Sequence, residues 1–337
     1  MTNHLIDKYK YKNLELKNRI AMAPMCQYSS KDGFLNEWHF QHYFSRAVGG
    51  ASLIYLEMTS VSQKGRSTNQ DLGLWNDEHV ANLKSLISKC KSYGAKVAIQ
   101  LSHAGRKAED EQYTLVPSIT NHSISFGNRK VQKELSQSDI KCIIREFTNA
   151  AKRAVEAGVD MIEIHGAHGY LIHQFHSPIT NRREDEYGKV LSKFGTEIIQ
   201  SIRDEIPKDI MMSMRLSATE YIKGGYDINH IINVAKEYRN AGVDIFSISS
   251  GGESTFPVDY PGHHIPFARE FRAHLDTPII VAGRLDNPIL ANSVIQNRDA
   301  DIVAIGRGML RNPYWSLNAA KELNYNIDIP KQYSRAY

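Results

Sequence analysis

A single α/β domain, a (β/α)8 TIM barrel with long βα loops, is the fold class the sequence predicts, and three observations carry it. Short apolar runs alternate with longer amphipathic segments along all 337 residues, the pattern of strands followed by helices. Several helical segments end alike, in YGAKVAIQ, EAGVDMIEIH and NAGVDIFSIS. There a glycine can adopt the left-handed stop after a helix, and a strand begins two or three residues later. Eight strand candidates over this length fit a closed barrel. A doubly wound sheet would want Gly-x-Gly-x-x-Gly after an early strand, and the sequence contains none.

In chain order the strand candidates are Arg19–Pro24, Ala51–Glu57, Lys96–Ser102, Met161–His165, Ile210–Leu216, Asp244–Ser249, Pro278–Ala282 and Asp301–Gly306. Helical periodicity marks Glu78–Tyr93, Ser138–Ala157, Ile228–Ala241, Pro266–His274, Pro288–Gln296 and Pro313–Leu323 between and after them. Two stretches break the rhythm, Ala104–Leu135, with Pro117, Asn121, Gly127 and Asn128, and Gly251–Pro266. Long connections after barrel strands are where site walls and lids are built.

Composition narrows the function classes. Hydrophobic residues at 42% and charged residues at 23% are ordinary for a globular protein. The net charge of +4, from 41 basic and 37 acidic residues, is dispersed, so no concentrated basic face for nucleic acid is expected. No apolar run is long enough for a membrane helix, and the first nineteen residues lack the core of a secretion signal. Cys26, Cys90 and Cys142 are far apart and in no metal-ligand spacing. They are expected to be thiols in a reducing cytoplasm.

The chemistry concentrates at strand ends. VAIQLS places Gln100, MIEIHG places His165 and MMSMRLS places Arg215 where apolar residues would otherwise continue. In a barrel these three would converge at one mouth. After the last strand, Gly306-Arg307-Gly308 precedes a helix, and Gly283 ends the strand before it. The loops after strands seven and eight form the usual phosphate pocket of such barrels. Near the N-terminus, strand one runs into APMCQYSS, bringing Pro24, Met25, Cys26 and Tyr28 together. Cys26 taken alone reads as a small buried residue. His165 and His168 lack a third ligand at suitable spacing, so no metal is expected and two donors aimed at one oxygen are favoured. His173 and His176 are expected to pack or to face solvent.

The set APMCQYSS, IQLSHAGRKAE, IEIHGAHGYLIHQF, MRLSATEY and AIGRGMLRNP resembles the Old Yellow Enzyme family of FMN-dependent ene-reductases. It is most similar to the bacterial NADPH dehydrogenase branch, marked by Cys26 and Tyr28, from Leu14 to Arg335. The resemblance implies FMN across the barrel mouth, with the backbone of Ala23, Pro24, Met25 and Cys26 and also Ser60 along its ring. Gln100 would meet the pyrimidine side, Arg215 the N1–C2 edge, Ser249 and Gly251 the ribityl chain, and Gly283, Gly306 and Arg307 the phosphate. Cys26 would lie close to the flavin and tune its potential. His165 and His168 would hold the carbonyl or nitro oxygen of an unsaturated substrate, helped by Tyr28, while Tyr170 protonates the α-carbon after hydride reaches the β-carbon. NADPH would reduce the flavin in turn, giving ping-pong kinetics. HAGRKAE would bring Arg106 and Lys107 near the mouth. The tail, residues 328–337, would carry Arg335 into a neighbouring subunit's site, implying a homodimer or tetramer.

The sequence departs from that family after NRREDEYG, where a second glycine, a serine and an Asn-Arg pair normally follow. Here it reads KVLSKFGTEII, so the loop into the next helix must close differently. Three rival readings remain at this stage. They are a dienoyl-CoA reductase, which would need an extra iron–sulfur and FAD region, a flavin-free phosphate-binding aldolase or isomerase barrel, and a low-turnover redox sensor acting through Cys26.

Overall fold

Eight parallel strands close into a ring because each carries apolar residues on both faces, one toward the barrel axis and one toward the helices. The computed structural model describes residues 3–109, 114–120, 132–252 and 258–337. The barrel strands are β1 Ile20–Met22, β2 Leu53–Ser60, β3 Lys96–Ser102, β4 Met161–Gly166, β5 Met211–Ser217, β6 Ile245–Ser249, β7 Ile279–Val281 and β8 Ile302–Ile305. Neighbours pair in parallel around the sheet, and β8 meets β1 at Val303 and Ile20 while β1 meets β2 at Ala21 and Leu53, which closes it. A short antiparallel hairpin, Tyr9–Tyr11 with Leu14–Leu16, contributes Tyr9, Leu14 and Leu16 to the cluster that fills the barrel floor.

Alternation along the strands sorts the interior into layers. Leu53, Tyr55, Ala98, Met161, Met211, Ile245, Ile280 and Ile302 belong to the apolar floor. One step further along the same faces come Gln100, Glu163, Ser213 and Ser247, and beyond them His165, Arg215 and Ser249, all buried. Along β3, β4, β5 and β6 the barrel therefore changes from a dry floor to a polar ceiling within two residues. Register fixes the ceiling, since Gln100 pairs with Glu163, and Arg215 pairs with His165 on one side and Ser247 on the other.

The outer layer comprises α1 Glu37–Val48, α2 His79–Lys91, α3 Gln137–Ala157, α4 Lys193–Glu205, α5 Ile228–Ala241, α6 Ile265–His274, α7 Pro288–Gln296 and α8 Trp315–Glu322. α3 illustrates their logic. Ile140, Ile143, Ile144, Phe147, Ala151 and Ala154 recur every three or four residues and are buried. Ser136 and Asp139 form a capping box at its start, and Gly158 stops it at φ 91°. Two helices, α1 and α4, come in addition to those the periodicity singled out. The inner face of α1 is polar, with His39, His42, Ser45 and Arg46 buried. In α4, Gly195 lets the helix approach α5 closely, for a Cβ there would stand 2.3 Å from Tyr238 Oη.

Boundaries move slightly from the sequence reading. β1 ends at Met22, though Ala23 N–H still bonds to Ile305 O at 3.0 Å, and Gly306 stands outside β8 as the cap of the helix Arg307–Arg311. In the first irregular stretch, Thr114–Val116 pairs in parallel with Gln132–Glu134; Asn121, Gly127 and Asn128 lie outside the described residues. The segment of residues 181–187, which leads into the altered loop, is held by Arg183, whose guanidinium binds Asp185, Pro117 O and Leu135 O. Asp185 then caps the short helix Glu186–Lys189. Among the described residues no helix is long and apolar enough to cross a membrane.

Candidate active site

The ceiling and the loops above it form one cluster. β4 ends at Gly166, and the chain then turns sharply, with His168 at φ 59° and Gly169 at φ 73° before Tyr170 opens the helix Leu171–His176. A non-glycine residue with positive φ is uncommon, although histidine is among those that tolerate it, and three contacts hold this one. Its N–H donates to Ser217 Oγ at 3.1 Å, its carbonyl accepts from Lys107 Nζ at 2.5 Å, and its Nε2 meets Ser249 Oγ at 2.6 Å. Lys107 also reaches Gly252 O at 2.8 Å, so a single ammonium ties together the loops after β3, β4 and β6.

The turn stacks three rings edge to face. His165 lies 5.2 Å from His168 and 4.8 Å from Tyr170, between centroids. Ala167 N–H donates to His165 Nδ1 at 3.2 Å, which makes that nitrogen the acceptor and leaves the proton on Nε2. Burial, reinforced by the positive charge of Arg215, holds both imidazoles well below their usual pKa. They are neutral N–H donors rather than cations. Burial likewise pushes the Tyr170 phenol upward, as do Cys26, Tyr28 and Asp71, so it keeps its proton. Its ring packs against the cluster of Met58, Ala104 and Ala108 together with Cys26.

Facing this cluster is the first loop. Cys26 is partly buried and free, and its thiol is pushed up to about 12 by burial and by the charges of Asp71 and Glu57. A thiol that resists ionisation is a poor nucleophile, which weighs against the redox-sensor reading. Tyr28 stands at φ 47° and is about half exposed. Its phenol is also held above the ordinary range, chiefly by Cys26.

The residues expected at a cofactor take up compatible places. Arg215 is buried, its Nε has no hydrogen-bond partner, and no salt bridge is formed by its guanidinium among the described residues. A cation left in this condition in a protein interior fits an anionic or acceptor-rich ligand. Gln100 is buried two strands away and donates to Glu163 Oε1 at 2.7 Å. Ser249 ends β6 and Gly251 follows it, at φ 74° with its N–H on Thr219 O. Gly283, at φ 120°, abuts His264, where a Cβ would come within 3.0 Å of Nδ1. Arg307 is exposed and pairs with Asp259 at 3.1 Å. The Ser60 hydroxyl donates to Ser62 O at 2.7 Å, and its carbonyl accepts from Leu74 N–H at 2.9 Å. Arg106 is buried and bonds to Thr120 Oγ1. Arg335 is exposed, in a tail held along α8 of its own chain through Tyr333, Ala336 and Tyr337.

Sequence reasoning missed three buried polar groups. Glu163 was signalled by the alternation of IEIH, which puts it on the same face as His165. Glu57 was hidden because register slips between Leu56 and Met58. Glu220 lies after β5 and supports His173 at 3.1 Å, with Ser177 on its other oxygen. His173 and His176 are thus packing residues. Among the described residues no group of three His, Cys, Asp or Glu side chains gathers as a metal site.

This architecture is that of a flavin-dependent NAD(P)H oxidoreductase on a (β/α)8 barrel, and comparison with known proteins establishes the class. The chain belongs to the NADH:flavin oxidoreductase / NADH oxidase family, whose model matches residues 5–326. It is 44% identical to the NADPH dehydrogenase of Listeria welshimeri and 40% identical to that of Clostridium acetobutylicum, each over 99% of both chains. Among solved structures it resembles morphinone reductase, with a TM-score of 0.83 and 25% identity over 98% of this chain and 92% of that one. It also overlays on a 2-naphthoyl-CoA reductase at a TM-score of 0.89 and 25% identity, but spans only 52% of that chain. The resemblance to the Old Yellow Enzyme family therefore holds, and the aldolase or isomerase alternative falls.

Proposed function

We propose that this chain uses NADPH to reduce activated C=C bonds, in α,β-unsaturated carbonyl or nitro compounds and in quinones, through a tightly but non-covalently bound FMN. The observation that carries the reading is the pair of neutral imidazoles, His165 and His168, stacked beside a protonated Tyr170 at the barrel mouth. Bound FMN would supply the two-electron chemistry; the chain's own residues supply everything else.

The placement of Gln100 and Arg215 in the ceiling supports their assignment to the ring, with the backbone of Ala23–Cys26 along it and Ser249 and Gly251 toward the ribityl chain. Gly283, Gly306 and Arg307 would hold the phosphate, which must displace Asp259 from Arg307. His165 Nε2–H and His168 would both donate to a substrate oxygen. As neutral donors they stabilise charge that develops there without binding anions indiscriminately beforehand. His168 would exchange its bond with Ser249 for one to the substrate. Tyr170 keeps its proton through neutral pH and would deliver it to the α-carbon. Tyr28, exposed at the rim, would add a donor. Arg335 would complete the site of a neighbouring subunit.

Replacing both His165→Ala and His168→Ala tests the reading. Phenols should lose their long-wavelength charge-transfer complexes and enone reduction should fall by at least about a hundredfold, while FMN is retained. Unchanged phenol binding would defeat the anion-hole assignment.

A further inference from the structure

The polar ceiling contains an ionisable group that neither hydride nor proton transfer uses. Glu163 lies two residues before His165 on the inward face of β4 and is fully buried. Its Oε1 accepts the Gln100 side-chain amide at 2.7 Å. Register sets it beside Gln100 of β3 and Ser213 of β5, one inward step below Arg215. Its Oε2 makes no well-formed hydrogen bond, although the Ser213 and Ser247 hydroxyls lie near enough to favour the ionised carboxylate. Two incompletely satisfied ionisable groups, a carboxyl and a guanidinium, thus share the polar ceiling of the barrel.

We propose that Glu163 is a positioning residue for the flavin, fixing the Gln100 amide and offsetting the charge of Arg215, and so lowering the reduction potential of the bound cofactor. The proposal rests on the reading above that the flavin ring meets Gln100 and Arg215. Because one N–H of the Gln100 amide is given to Glu163, the amide is held in one orientation, and its carbonyl oxygen would be offered to the ligand as an acceptor. Because a negative charge lies beneath Arg215, the positive field that would favour electron-rich flavin is weakened. Glu163 faces Arg215 from β5, Tyr55 from β2, Gln100 from β3, Ser213 from β5 and Ser247 from β6, with His165 above it on its own strand. Tyr55 is held protonated and His165 neutral by burial, so Arg215 is the opposing charge within this group.

Burial raises the Glu163 carboxyl to about 7, against the opposite pull of Arg215 and the Gln100 amide. The offset is therefore present above neutrality and lost below it, and the potential should fall more steeply with pH near 7 than at either side. Anaerobic redox titration of the flavin-loaded protein between pH 5.5 and 8.5 tests this. At pH 8, Glu163→Gln should favour reduced over oxidised flavin by about tenfold, a rise of about 30 mV for a two-electron couple. At pH 5.5 variant and wild type should coincide. Parallel curves across the range would overturn the proposal. Ser213→Ala gives an arm that survives misfolding of the Gln variant. Removing a hydroxyl that favours the ionised carboxylate should move the break to higher pH, and a break that stays in place counts against the proposal. A protein that binds no flavin would defeat the functional reading instead, so the two failures are distinct.

Discussion

Glu57→Gln should stabilise the protein in alkaline solution and leave it nearly unchanged in acid. Glu57 is fully buried in β2. Its Oε1 accepts the Tyr43 hydroxyl at 2.9 Å and its Oε2 the Gln27 N–H at 2.7 Å, while its own N–H donates to Tyr43 Oη at 2.8 Å. Burial lifts the carboxyl from 4.5 to about 7, with the bonds from Gln27 and Tyr43 pulling it back. The sign follows from linkage. A raised folded pKa means that ionisation is less favourable in the folded chain than in the unfolded one. The penalty is absent below about pH 4.5, grows as pH rises, and is complete above about 7. The difference corresponds to about 3 kcal/mol. Gln remains neutral throughout and can still accept from Gln27, so its advantage over Glu should grow by that amount between pH 4.5 and 8. Urea unfolding of the flavin-loaded protein at several pH values, followed by circular dichroism, reads this as a midpoint shift at constant slope. A difference between variant and wild type that does not change with pH would refute the reasoning.

Other predictions concern the loops and the tail. At pH 8 a thiol titrating near 12 is ionised in about one molecule in ten thousand, so iodoacetamide should label the exposed Cys142 well before Cys26. Mass spectrometry showing Cys26 labelled first would contradict this. Gly188→Ala would bring a methyl within 1.8 Å of Arg183 O, and a backbone clash of that kind should cost about 3 kcal/mol. Hydrogen exchange should then show loss of protection around Pro117 and Leu135, whose carbonyls Arg183 holds. Truncation after Tyr333 should weaken substrate binding with flavin content unchanged, and an unaltered KM would remove Arg335 from the site.

The sequence was most informative where one rule acts alone. Gln100, His165 and Arg215 end strands, and a polar side chain at the end of an apolar run is visible without knowing its neighbours. Helix stops at Gly158 and Gly242 were visible for the same reason, since a positive φ there favours glycine. Glu163 and Glu57 were harder because their meaning depends on what surrounds them. A carboxylate in mid-strand reads as solvent-facing until closure of the ring places it indoors. α1 was obscured by its own inner face, where Arg46 donates to Met309 O and His42 O. Its polar residues pack by satisfying backbone carbonyls, which apolar periodicity does not reveal. Nor could any local pattern show that Lys107 would span His168 and Gly252.

The left-handed backbone at His168 also limits how such a site can diversify. His165 stands in extended strand geometry, which most side chains accept. At 168, β-branched or bulky residues would be strained, while asparagine, aspartate and glycine enter that region more readily. Asparagine alone of these presents a neutral N–H donor. Backbone geometry therefore leaves position 165 open to most side chains, but at 168 there is a narrow route, from imidazole to a short amide, if the proposed grip on a substrate oxygen is to be kept.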